Sequence, residues 1–182
     1  MIEVLVTIAI LAIGLMGLLQ MQTRLQKSEV ESYQRTQAMI LLNDMASRIT
    51  TNRSNAADYE TADPTSDFLG AGMTCPSTNT TLQQRDTAEW CDALQGAAEQ
   101  TTTNSKVGSM IGGRGCVEDI GSVSAPQYLV TVVWQGLTPI ASPPATIACG
   151  KEATNIYDDV TTDCTDDLCR RYVSTIVRIA TL

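Results

Sequence analysis

The sequence predicts an α+β protein: a long N-terminal helix, apolar then amphipathic, packed on a small antiparallel β-sheet. Three observations predict it. The first 19 residues are almost wholly apolar, helical spacing continues to about residue 50 with no proline before Pro64, and two β-branched, aromatic runs come late in the chain. One such layer on another is a common way to close a single core.

The apolar run is MIEVLVTIAILAIGLMGLL. Fifteen of its 19 residues are Ala, Val, Ile, Leu or Met, and the exceptions are Glu3, Thr7, Gly14 and Gly17. As a helix it spans roughly 28 Å, close to the hydrocarbon thickness of a bilayer. A secretory signal would show a basic start, a shorter apolar run and a small-residue cleavage site. Residues 1–19 show none of these, so they read as a transmembrane helix.

Residues 20–55 continue that helix in amphipathic form. Met21, Leu25, Ala38, Leu41, Leu42, Met45 and Ile49 recur mostly at three- or four-residue steps, with Tyr33 bridging the middle. One helix is expected from about Met1 to about Thr50, on the order of 75 Å long. The turn formers Thr50-Thr-Asn-Arg-Ser-Asn55 end it.

Residues 56–182 form the head. About fifty polar residues, from Ala56 to Lys106, hold one short helix candidate, Asp86–Ala98. Gln127–Trp134 and Arg171–Ala180 read as strands, and Gly115–Ile120 as a shorter third. Two to four antiparallel strands are expected.

Charge and cysteine separate the two parts. The chain of 182 residues carries a formal −8, with 12 basic and 20 acidic groups. Residues 1–50 hold four of each, so the rest of the chain carries the whole excess. All six cysteines lie between Cys75 and Cys169. Behind a membrane segment they read as disulfides formed in an oxidising compartment. Fifteen pairings are formally possible. The expected set is Cys75–Cys91 as a loop closure and Cys149–Cys169 at the last strand, which leaves Cys116–Cys164.

The complete absence of histidine removes His-based nucleophiles, bases and zinc sites. No Ser-Lys or paired-carboxylate constellation stands out, so no catalytic residue and no cofactor are expected. The acidic balance argues against nucleic acid, although Arg170, Arg171 and Arg114 are cationic; arginines of this kind are more often salt-bridged or exposed. Asp158, Asp159, Asp163, Asp166 and Asp167 crowd one loop. The first three are a calcium candidate, but their spacing fits no EF-hand and a solvated acidic loop is the plainer reading.

Glu3 is the sharpest single signal. A carboxylate inside an apolar run costs about 2.5–3.5 kcal/mol at the centre of a membrane helix, and less near its end. It can reach headgroups, or it can await a cationic partner.

At this point the residues reach a family. MIEVLVTIAILAIGLMGL resembles the mature N-terminus of type IV pilins, an apolar helix with one Glu near its start. LLNDMASRITTNRSNA resembles the helix end of PilV-type minor pilins, through Asn43, Asp44, Ala46, Arg48 and Asn52. The strands VTVVWQG and TIVRI match that layout. The family's acid stands two places further into the processed chain. The resemblance therefore implies a leader, its cleavage by prepilin peptidase and N-methylation, all upstream of these residues. The family's frequent helix-breaking proline is missing, and Gly14 and Gly17 are the only loosening residues in the segment.

The resemblance implies a structural subunit that waits in the bacterial inner membrane with its head in the periplasm, then enters an extracellular pilus. Its implied partners are the major pilin, other minor pilins and a tip adhesin. Glu3 would pair with the terminal amine of a neighbouring subunit. A minor pseudopilin of a type II secretion system is built with the same anchor. A tip adhesion module, presenting Ser77–Thr103, is a further alternative.

Overall fold

A computed structural model describes residues 2–96, 110–151, 156–158 and 163–180. Met1, Ala97, Ala98, Asp159 and the end of the polar segment through Lys106 fall outside those residues. The chain forms two compact units, Met1–Tyr33 and Gln34–Leu182.

The first unit consists of the N-terminal part of helix α1, which runs Ile2–Thr51. Its length follows from what is missing: no proline interrupts the backbone ladder, and Gly14 and Gly17 are its only glycines. Thr7 and Thr23 bond their hydroxyls back to the carbonyls of Val4 and Gln20, which keeps both polar groups satisfied inside the helix.

The second unit holds the last turns of α1 and the head. Gln34, Ala38, Leu42, Met45 and Ile49 are the buried residues of α1, at steps of three and four. Ala38, Leu42, Met45 and Ile49 meet Val117, Tyr128, Val130, Val132 and Trp134 of the sheet in one core. A fully buried Leu, Ile or Met contributes roughly 1.5–3 kcal/mol, so this short stripe is enough to hold the helix end.

A 3₁₀ turn, Arg53–Tyr59, leads out of α1 and buries Ala56 and Tyr59. Strand β1 is only Leu69–Gly70. Helix α2, Leu82–Leu94, begins four residues earlier than the sequence reading placed it. Thr81 and Gln84 form a capping box, and Gln84 Oε1 reaches back to the Thr81 N–H. Strands β2 (Arg114–Asp119), β3 (Gln127–Gln135) and β4 (Arg170–Arg178) complete the sheet. The order is β1-β2-β3-β4 and every pairing is antiparallel.

One sheet face packs on α1 and α2. The other carries a second small cluster of Phe68, Cys116, Val133, Cys149 and Tyr157. That two-sided burial explains why Val130–Trp134 is buried without alternation.

The disulfides correct two of the three expected pairs. Cys75–Cys91 ties the polar segment to α2. The other two are Cys116–Cys149 and Cys164–Cys169, not Cys149–Cys169 and Cys116–Cys164. Cys116 points to the sheet face away from α1, and the chain returning through Cys149 crosses that same face, with its sulfur 3.9 Å from the Thr131 carbonyl. Cys164 and Cys169 meet because Asp166 and Asp167 both take positive φ, 53° and 66°, which folds the loop tightly enough for a Cα separation of 5.3 Å.

Candidate assembly site

Within the first unit the apolar side chains have nothing to pack on. Ile2, Leu11, Ile13, Met16 and Leu19 are all more than half exposed, and none of the most apolar stretch of α1 is buried. It is one helix long and apolar enough to cross a membrane. Glu3 lies in its first turn, where a carboxylate is favoured by the helix dipole, and it makes no ion pair among the described residues.

The helix arranges the exceptions in the apolar run. Glu3, Thr7, Gly14 and Gly17 fall, with Ile10 and Met21, at steps of 4, 3, 4, 3 and 4. At 100° per residue they occupy an arc roughly 80° wide. Every residue of the segment that is poorly suited to lipid is therefore on one side. Neither glycine is needed by the chain itself, because a Cβ at either would meet nothing within 4 Å. Each costs the helix about 1 kcal/mol relative to alanine.

In the second unit the residues that carried the pilin resemblance close the helix end onto α2. Arg48 pairs with Asp44 at 2.9 Å, one helical turn back, and with Asp86 and Glu89 of α2 at 2.8 Å each. The Tyr59 hydroxyl donates to the second Asp86 oxygen and accepts from Asn52 Nδ2 at 3.1 Å. Burial opposes the Arg48 charge, but the Glu89, Asp86 and Asp44 carboxylates together outweigh it and raise its pKa. Burial also raises Tyr59, to about 12, aided by its bond to Asp86. Asp86, Glu89 and Tyr59 were not singled out from sequence. Asp44 and Arg48 at i, i+4 were the visible part of the hub.

The aspartate loop is spent on its own structure. Asp158 accepts the N–H groups of Asp166 and Asp167 at 3.0 and 2.9 Å, holding the left-handed turn. Asp167 in turn pairs with Arg170 at 2.7 Å. Arg170 is 1% exposed and donates to the Ile147 and Cys149 carbonyls. Asp163 stays exposed, and Asp159 lies outside the described residues. Among the described residues no three acidic or sulfur side chains converge to hold a metal ion.

These features define a class: an α+β protein with a disulfide-stapled head and an N-terminal apolar helix able to span a bilayer. No protein-family model matches the chain, and no curated protein or solved structure matches it.

Proposed function

We propose that the chain is a non-catalytic subunit of a type IV pilus, a minor pilin of the PilV type that primes assembly or belongs to the tip complex. The observation that carries this reading is the exposed apolar segment of α1, with Glu3, Thr7, Gly14 and Gly17 on one stripe. A helix that only anchors a head has no use for such a stripe. A helix that must leave lipid for a bundle of similar helices does, because small residues let backbones approach and a carboxylate needs a cationic partner in a dry core.

In this reading the head folds and oxidises in the periplasm while α1 sits in the inner membrane. Prepilin peptidase processes the chain, and extraction then exchanges lipid for the helices of the major pilin and other minor pilins. Glu3 meets the terminal amine of a neighbour, which sets axial register. The test is incorporation of Glu3→Ala. The expected result is a folded, oxidised head with little or no chain in sheared surface filaments. Incorporation equal to the native chain would sink the reading.

A further inference from the structure

The sheet ends on a long edge that no described residue pairs with. β4 is nine residues and terminates the order β1-β2-β3-β4, whereas the opposite edge, β1, is two. Gly136 N–H donates to Cys169 and Ile179 N–H to Pro126, which sets the phase of the β3–β4 ladder. In that phase residues 171, 173, 175 and 177 bond to β3. The N–H and C=O groups of Tyr172, Ser174, Ile176 and Arg178 point outward, and no described residue meets them. Their side chains share the face away from α1 and are exposed, Ile176 by 47%.

Two further features lie along this edge. At its start a cavity of about 300 Å³ is lined by Ile140, Pro143, Pro144, Arg171 and Tyr172. Along its length β4 carries three arginines and no acid, in a chain of net charge −8. Arg170 is consumed by Asp167, while Arg178 stands exposed at the far end.

The geometry points to β4 as a docking edge for an extended, acidic segment of a different protein, added as an antiparallel fifth strand. The outward backbone groups supply affinity, and side-chain positions at the two ends supply selectivity. An apolar residue enters the cavity beside Tyr172, and a carboxylate six residues earlier faces Arg178, about 20 Å away. A second copy is a poorer occupant, because antiparallel pairing of two β4 edges sets Arg178 of one opposite Tyr172 of the other, and β4 has no acid to offer it. This inference stands apart from the anchor reading, since it uses only the head.

The full chain in detergent micelles, with its disulfides intact, is titrated with the labelled peptide Asp-Thr-Val-Thr-Val-Thr-Leu. Binding is expected with a Kd below about 1 mM, and amide shifts should concentrate at residues 172–178. Ser174→Pro removes an outward donor without touching the β3 ladder, so it should weaken binding about tenfold while circular dichroism stays native. Arg178→Glu should weaken the Asp peptide about threefold and favour the same peptide beginning with Lys. Absence of binding, or binding indifferent to both substitutions, overturns the proposal. So does self-association through β4 that Ser174→Pro abolishes, because that assigns the edge to a second copy.

Discussion

The indole of Trp90 occupies the space a side chain at residue 115 would fill: a Cβ on Gly115 would fall 2.2 Å from the ring. Trp90 is fully buried, and its Nε1 donates to the Leu41 carbonyl at 2.9 Å, so it joins α2, β2 and the last turns of α1 at one point. Gly115→Ala should therefore lower stability by roughly 3 kcal/mol, because neither strand nor indole has room to move. Chemical denaturation of the oxidised protein measures it. A loss under 1 kcal/mol would show that the contact relaxes.

Arg48 stabilises the head through three carboxylates that it alone neutralises together. Arg48→Met keeps much of the stem but leaves Asp86, 10% exposed, without its cation. The expected loss is about 2 kcal/mol. Adding Asp86→Asn to Arg48→Met should recover part of it, a non-additivity that a double-mutant cycle reads directly.

The two corrected disulfides should differ in worth. Cys116–Cys149 closes a separation of 33 residues and Cys164–Cys169 one of 5. Loop-closure entropy gives about 4 and about 2 kcal/mol respectively. Paired Cys→Ser replacements, followed by thermal melting, should show that order. Non-reducing peptide mapping checks the connectivity independently.

Three of the five tyrosines should titrate late, with Tyr128 raised by burial and by the nearby Asp119, Glu60 and Asp58 carboxylates. Burial raises the other two, Tyr59 and Tyr157, to about 12, and Tyr157 spends its hydroxyl on the Gly112 carbonyl at 2.9 Å. Because each folded pKa lies above the unfolded value of about 10, the neutral phenol is what the fold favours. Its stabilisation is complete below pH 10 and is lost as pH rises toward 12. Ultraviolet titration of Tyr59→Phe and Tyr157→Phe should each remove one late phenol. Unchanged late amplitude in both would contradict the assignment.

The glycines of α1 separate packing within the chain from packing outside it. A Cβ at Gly14 or Gly17 meets nothing within 4 Å, so with Gly14→Leu or Gly17→Leu the head should melt within about 0.5 kcal/mol of the native protein. If the stripe is a contact face, both should enter filaments poorly. Gly14→Ala should do so less severely, since one methyl adds little bulk.

What was legible in the sequence depended on local signals. The helix could be followed to its end because Ala38, Leu42, Met45 and Ile49 keep helical spacing and no proline intervenes. β3 and β4 announced themselves through Val, Ile, Thr and Tyr. The start of α2 was missed because Leu82-Gln-Gln-Arg lacks an apolar face and depends on the Thr81 cap. Strand β1 is two residues long and exists only because Gly70 lies against Gly113 and Arg114. Cysteine pairing and the burial of Arg170 depend on which sheet face a returning loop crosses. Spacing along the chain carries no record of that.

The central claim is that this chain leaves the membrane for a filament. Quantitative mass spectrometry of surface filaments sheared from cells producing the native chain tests it most directly. The account predicts the intact chain in the filament fraction, at a small ratio to the major subunit, with Cys116–Cys149 oxidised. Filaments that form normally while the chain stays wholly in the membrane fraction would contradict it.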